Sequence, residues 1–399
     1  MNICIVEDNK LLAHAGGVES VCYNYACLLA EHPSHQVYQL YRLGNSPDIS
    51  GVLYQRLPND LTEKNTEGLN SIRSYLVDNK IDIIWSHSSN KALNRFIFKS
   101  TQGTHIRIIS VLHTTPSDII KELRDRHDLA LYRMIQKKEV TSYIKTILRL
   151  PFAFVNAYRK CYISLRNRFF NCHRLSLLSS HYIQEFFQLT LLKHTDKVTY
   201  IANPLLPPSI QPDIREKKNI VLVVARHVWK HKRLDRIINI WSQVEGSFPD
   251  WELVVLGDGP AHADYVHDAQ RLGIKNICFP GQQSPDAYYQ QAKITCMTSG
   301  WEGLPMALLE AQQYGCVPIC YESFAALPDI IEDGKTGYRI RPFNKKDFIK
   351  KLRHMMSTPT ELEQMAKNCI KHSENFAIDR VFSQWLRLFE EVINDQKQH

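Results

Sequence analysis

The sequence predicts two doubly wound, Rossmann-like α/β domains facing each other across a cleft. Short β-rich runs alternate with helical patterns from the first residues onward, and the same rhythm restarts after a proline-rich break in mid-chain. The 399 residues, 44% hydrophobic with both charge signs mixed throughout, also suit two substantial cores better than one.

The strands of the first half are "NICIVE", "QVYQLY", "IDIIWSH" and "RIISVLHTT", with "GVESVCYNYACLLAEH" a helix between the first two. Near-continuous apolar runs of this kind are what parallel strands buried on both faces require. After "KVTYIANP" the segment "NPLLPPSIQPD" holds four prolines between Pro204 and Pro212, few helix formers, and reads as the linker. The second half alternates "NIVLVVAR", "LDRIINIWSQV", "WELVVLGDG", "YVHDAQRLG", "NICFPG", "PDAYYQQA" and "ITCMTS". These runs divide the chain into an N-terminal α/β domain at 1–202 with a basic insertion at about 119–172, a linker at 203–215 and a second α/β domain at 216–374. The tail, 375–399, places Val381, Trp385, Leu388 and Phe389 at helical spacing, an amphipathic helix expected to pack back on a domain.

A formal net charge of +8 and a pI near 8.8 favour an acidic partner without choosing among nucleic acid, an anionic membrane and a phosphorylated small molecule. The ten cysteines are scattered among apolar neighbours with no C-x-x-C, and read as reduced core residues of a cytosolic protein. "MNICIVEDNK" turns acidic too early for a signal peptide, and no stretch is apolar enough to span a bilayer.

The stretch "WEGLPMALLEAQQYGC" carries Glu302 and Glu310 around a Gly-Leu-Pro entry. A helix starting near Leu304 puts Leu304, Ala307, Leu308 and Ala311 on one buried stripe and leaves Glu310 off it. Gly303 permits close backbone approach, and N–H groups of the first turn would point at an anion beside Glu302. Two carboxylates next to an anion site suit the hydroxyls and diphosphate of a nucleotide sugar. The bland alternative is a pair of acids that favour the helix start and solvate its outer face. In "VLVVARHVWKHKRLDRII", Arg226 ends a strand and Lys232 follows six residues later ahead of a helix. Cations beyond the carboxyl ends of parallel strands can neutralise a leaving diphosphate, Arg as a fork and Lys as a point charge. Lys230 and Arg233 read instead as solvated surface charge.

Taken together these residues resemble the family 4 retaining glycosyltransferases, which have the GT-B fold. The resemblance rests on "EGLPMALLE" as the Glu-x7-Glu motif, "RHVWKHKRLD" as the Arg and Lys pair, "GDGP" from Gly257 to Pro260, "SFAALPDIIEDGKTGYRIRP" downstream, and "AGGVE" after the first strand. It implies that Arg226 and Lys232 hold the donor diphosphate, that Glu310 binds ribose, and that Glu302 holds the transferred sugar with the amides of Gly303 and Leu304. It further places Gly16 and Gly17 near the phosphate, Gly257 in the donor loop and His113 beside the donor sugar. Glu19 reads as a structural helix cap. Arg233 and Ala225 stand where the family usually has glycine, which alters the donor loop.

From Tyr132 to Arg174 the chain carries ten basic residues against Glu139 alone, among them Lys137, Lys138, Lys145 and Arg149, interleaved with Leu148, Phe152, Phe154, Val155 and Tyr158. Pro151 is expected to break the helix. The pattern suits an interfacial helix on anionic lipid, with a solvated insertion or a nucleic-acid patch as the alternatives.

The expectation is a cytoplasmic hexosyltransferase, peripheral to the inner face of the plasma membrane. Its donor would be a nucleoside diphosphate sugar, UDP favoured, and its acceptor a lipid-linked glycan of lipopolysaccharide, capsule or exopolysaccharide. No cofactor, metal or nucleic acid is expected. A dehydrogenase would need G-x-G-x-x-G, which neither "GDGPAH" nor "AGGVES" supplies. A basic nucleic-acid- or membrane-binding protein without catalysis is the alternative outside enzymes, and the former should show a recognised binding motif.

Overall fold

The computed structural model describes residues 1–12, 17–46, 48–137 and 140–397. The chain forms two compact units: Met1–Pro116 with Lys160–Pro204 and Asp379–His399, and Ser117–Arg159 with Leu205–Ile378.

Among the described residues the first unit holds a seven-stranded sheet of β1 (Asn2–Val6), β2 (Gln36–Tyr41), β3 (Val52–Arg56), β4 (Ile83–Ser86), β5 (Arg107–Val111), β6 (Arg174–Leu177) and β7 (Val198–Tyr200). Its order is β3-β2-β1-β4-β5-β6-β7, and all pairings are parallel. Order reverses between β1 and β4, so the loops after these strands open the crevice where ligands of such sheets bind. Ile3, Cys4, Ile5 and Val6 have no exposed surface, as expected of a central strand covered on both faces. Helices α1 (Gly17–Glu31), α2 (Thr66–Asp78) and α3 (Lys91–Thr101) connect the early strands.

Two long helices follow, α4 (Asp118–Lys137) and α5 (Val140–Phe170), and the division between units falls within α5. Pro151 lies inside α5 and does not end it, contrary to the sequence expectation. A mid-helix proline forfeits one i→i−4 bond and crowds the carbonyl four residues back, a local cost that 31 residues of helix absorb. Next comes α6 (His181–Thr190).

The second unit holds a six-stranded parallel sheet of β8 (Lys218–Val224), β9 (Glu252–Leu256), β10 (Ile277–Gly281), β11 (Ala292–Met297), β12 (Val317–Tyr321) and β13 (Tyr338–Ile340), in the order β10-β9-β8-β11-β12-β13. The reversal lies between β8 and β11. Helices α7 (Leu234–Trp241), α8 (His262–Arg271), α9 (Asp286–Gln291), α10 (Met306–Gln313), α11 (Leu327–Ile330), α12 (Lys345–Ser357) and α13 (Pro359–Ser373) complete it. Its core joins Val221, Ile237, Trp241, Leu253, Ile294, Ile319 and Phe348.

The proline-rich segment is fastened within the second unit: Leu205 N–H donates to the Phe376 carbonyl at 2.7 Å, and Ser209 N–H to the Tyr314 hydroxyl at 3.1 Å. Helix α14 (Ile378–Lys397) buries Val381, Trp385 and Phe389 in the first unit. Trp385 Nε1 donates to the Tyr25 hydroxyl at 2.9 Å and its ring lies 4.6 Å from that of Trp85.

Candidate functional site

In the second unit the two strands flanking the reversal deliver three of the charges singled out in the sequence. The loop after β8 carries Arg226 and Lys232, and the loop after β11 carries Glu302. Lys232 Nζ lies 2.7 Å from Glu302 Oε1, both side chains largely shielded from solvent. Arg226 is exposed. The loop between them is pinned by Gly300 N–H, which donates to the His231 carbonyl at 2.6 Å. His231 takes a positive φ of 56°, and its ring lies 5.1 Å from that of Trp301. Burial pushes the His231 imidazole down to about 4, against the nearby Glu302 carboxylate, so it is neutral at pH 7. Motif reading missed His231, because nothing in its neighbours separates it from the surface lysines beside it.

Helix α10 begins at Met306 with Pro305 as its N-cap, two residues later than the sequence suggested. Leu304, Leu308 and Ala311 are buried as expected, Ala307 is half-buried, and Gly303 lies in the turn ahead of the cap. Proline at the cap is one of the few positions where its missing N–H costs nothing. Glu310 is partly buried, and its Oε2 accepts from the Tyr289 hydroxyl at 3.0 Å. Burial raises its carboxyl above the usual range, and the Tyr289 bond opposes that rise.

Gly257 has φ +128°, and a Cβ there would run into the Ala225 carbonyl, while one on Gly259 (φ +152°) would meet the His227 carbonyl. The "GDG" turn therefore seats against the loop that carries Arg226, which only glycine allows.

Lys230 is half free of solvent and paired with Glu122 of α4 at 3.0 Å. Arg233 departs from the surface role read from sequence: it is 4% exposed and forms a two-pronged bond to Asp235 at 2.9 and 3.0 Å. Burying an arginine requires such a partner, and Asp235 in the first turn of α7 supplies it. Arg236 reaches Asp128 at 3.4 Å and Asp125 at 3.8 Å, so three acids of α4 engage the basic turn. A Cβ on Gly300 would collide with the Asp125 carboxylate, and burial pushes Asp125 up to about 6.

In the first unit, His113 follows β5 and His87 follows β4; their rings stack at 5.1 Å and His87 Nδ1 lies 2.8 Å from His113 Nε2. Burial, with Arg168 adding to it, pushes His113 down to about 3, and His87 is also pushed down, so both rings stay neutral and one donates its N–H to the other. They line a cavity of about 360 Å³ with Glu7, Glu19, Thr114 and Arg168. Burial pushes Glu7 up to about 7. Glu19 accepts from Asn9 Nδ2. Gly17 opens α1 with φ +55°. Gly16 and Lys138 lie outside the described residues, as does the side chain of Lys137.

Three arginines assigned to the basic face serve the first unit instead. Arg168 donates to Ser110 Oγ, Val111 O and Ser88 O at 2.9 to 3.0 Å, Arg166 to Thr190 O at 3.0 Å, and Arg174 pairs with Asp395. Lys145 and Arg149 remain exposed on α5.

Residues 209–372 match the family model for glycosyl transferases group 1. The amylovoran biosynthesis glycosyltransferase AmsD of Erwinia amylovora is 22% identical over 360 residues, 86% of this chain and 95% of that one. Other matched relatives are spanned over about half their length, 54% and 50% in two cases. Among solved structures, the apo lipopolysaccharide outer core galactosyltransferase WaaB has a TM-score of 0.72 at 18% identity, covering 98% of this chain and 100% of that one. The Anabaena Alr3699/HepE complex with UDP also scores 0.72, at 12% identity, with 98% and 100% coverage. The chain thus has the GT-B fold of these glycosyltransferase structures, and the part of it that matches the group 1 glycosyl transferase model is residues 209–372.

Proposed function

We propose that the chain is a retaining hexosyltransferase, moving a sugar from a nucleoside diphosphate sugar to a growing, lipid-linked bacterial surface glycan. The observation that carries this reading is the 2.7 Å contact of Lys232 with Glu302 at the reversal point of the second sheet. A cation and a carboxylate held together there offer one group to the diphosphate and one to the hydroxyls of the sugar. Arg226 supplies the second cation, Glu310 takes the ribose, and the amides of Gly303 and Leu304 assist. His113, neutral in its cavity, is the hydrogen-bonding partner on the side of the transferred sugar.

In the transfer, the bond from the anomeric carbon to the diphosphate oxygen breaks as the acceptor oxygen bonds to the same face of that carbon. The acceptor proton passes to the departing diphosphate. Charge growing on the leaving group is met by Lys232, Arg226 and the amide-lined start of α10. With two cations in place and no D-x-D pair in the sequence, transfer needs no divalent metal. UDP is favoured because HepE, similar in fold, was solved with UDP, and a surface glycan because the names of AmsD and WaaB concern such polymers.

The site of action is the cytoplasmic face of the membrane. Among the described residues no helix is long and apolar enough to cross a bilayer. On α5, however, Val140, Ile144, Leu148, Pro151, Val155 and Tyr158 recur every three or four residues and all are exposed. Lys145, Arg149 and Arg159 each follow one of them by a single position, so a basic row flanks the apolar stripe on one side. That arrangement suits a helix lying in the headgroup region of anionic lipid.

The deciding experiment is a donor screen of UDP, GDP and ADP sugars, with NMR of the transferred product. Turnover of a UDP-sugar with retained anomeric configuration is expected. Inversion, or inertness to every donor, would overturn the reading.

A further inference from the structure

The carboxyl edge of the second sheet holds a second cluster that sugar transfer does not use. His227 Nδ1 lies 3.0 Å from His262 Nδ1, and Asp258 Oδ1 lies 3.7 Å from that same His262 atom. The three donor atoms all fall within 4.8 Å of one another.

Backbone bonds hold the cluster together. His227 N–H donates to the Asp258 carbonyl at 2.8 Å, Ala261 N–H to the His227 carbonyl at 3.0 Å, and His262 N–H to the Gly259 carbonyl at 3.0 Å. His227 is fully buried, with the edges of Tyr265 and Phe279 against its ring. Its ring and that of His262 are within 10° of parallel. Asp258 is exposed, and its Oδ1 accepts from the Gly259 N–H at 2.7 Å, which keeps it on the His262 side of the turn.

We propose that His227, Asp258 and His262 form a binding site for a divalent transition-metal ion of the zinc class, held through both Nδ1 atoms and one carboxylate oxygen. Nitrogen and oxygen ligands bound to zinc at about 2.0–2.1 Å in tetrahedral geometry stand roughly 3.3 Å apart. The observed 3.0 and 3.7 Å bracket that spacing, and all three donor atoms fall within 4.8 Å, so an ion needs only local adjustment of the side chains to be held by all three. Two imidazoles and one carboxylate favour zinc, cobalt or nickel over magnesium or manganese, which take all-oxygen sites. Three protein ligands leave a position open to water or to an anionic oxygen. Bound there, the ion ties the Gly257–Gly259 turn to the loop of Arg226. Occupancy is separate from requirement, since Lys232 and Arg226 meet the charge of the leaving group in either state.

The test reads the metal directly and so stands apart from the glycosyltransferase reading. Untagged full-length protein, stripped with a chelator, is titrated with Co²⁺ and followed by its visible ligand-field absorption. One saturable equivalent is expected, displaced by Zn²⁺ but not by Mg²⁺. His262 and Asp258 are at or near the surface, so His262→Ala and Asp258→Asn should fold, with circular dichroism of the stripped proteins as the check. Losing a ligand should weaken cobalt binding by at least the roughly 10- to 100-fold that loss of an outer-shell partner costs. The proposal is overturned if wild type gives no saturable band, or if both folded variants bind cobalt as tightly as wild type, which would place the ion on other histidines.

Discussion

Lys232 donates to Glu302 over 2.7 Å, although the two residues stand 70 positions apart and follow different strands. Because β8 and β11 are neighbours at the sheet reversal, the pair forms with little further ordering of the chain. If Lys232 meets the leaving diphosphate as proposed, Lys232→Ala should raise the barrier to transfer by about 2.7–4 kcal/mol, the loss seen for an oxyanion donor, and lower kcat accordingly. Glu310→Ala, which removes the proposed ribose contact together with the Tyr289 bond, should mainly raise the donor KM. Steady-state kinetics on folded variants separate the two, and wild-type turnover in both would remove this site from consideration.

Transfer should persist after chelation. In the proposed site the cations of Arg226 and Lys232 would take the role that a bridging magnesium or manganese ion plays in enzymes with paired aspartates. Dialysis against EDTA followed by a transfer assay tests this, with strong inhibition that manganese restores as the contrary result.

The Glu7 carboxyl gives a pH signature in stability. Its ordinary value of 4.5 is pushed up to about 7 in the folded chain, so the folded state holds the proton more tightly than the unfolded state. Stability contributed by that proton is complete below about 4.5 and is lost as pH rises toward 7. Glu7→Gln keeps the shape without the titration. Compared with wild type, its Tm should therefore decline less between pH 4.5 and 7. Parallel Tm curves for the two proteins would show that Glu7 does not titrate in this window.

Much of this architecture is legible in sequence because buried parallel strands write themselves as apolar runs. "NICIV", "IIWS" and "VPICY" are such runs. Edge strand β3, "VLYQR", mixes exposed and buried positions and carries no such signal. Glu302, Glu310, Arg226 and Lys232 are legible because each belongs to a local motif. What the sequence hides is long-range pairing. Arg168 looks like its basic neighbours on α5 until Ser88, 80 residues away, is seen to accept from it. Arg233 looks solvated until Asp235 and the packing around α7 enclose it. His87 and His113 lie 26 residues apart and meet only because β4 and β5 pair in register.

The Gly257 turn should tolerate no side chain. Its φ of +128° is strained for any L-residue, and the Ala225 carbonyl fills the space a Cβ would need. Gly257→Ala should lower stability by roughly 1–3 kcal/mol, the usual cost of such backbone strain, and displace the loop of Arg226. Thermal unfolding with donor titration measures both, and unchanged Tm and donor affinity would show that the turn relaxes freely.

The exposed stripe of α5 leads to the last prediction. Leu148 and Val155 of the stripe are 70% and 69% exposed and Phe152, one position after Pro151 on the flanking side, is 83% exposed, which is costly in water unless something apolar covers them. Lys145, Arg149 and Arg159 flank the stripe, and each basic residue near an anionic surface contributes about 1 kcal/mol, screened by salt. The protein should therefore sediment with phosphatidylglycerol-rich liposomes at low salt and release as salt rises. Changing Lys145, Arg149 and Arg159 to Glu should reverse the electrostatic attraction, and Phe152→Ser should weaken the apolar part without altering charge. Hydrolysis of donor in solution should survive both sets, since neither touches Lys232 or Glu302. Indifference of wild type to anionic liposomes at low salt, or equal sedimentation of the charge-reversed protein, would assign the stripe to a different partner.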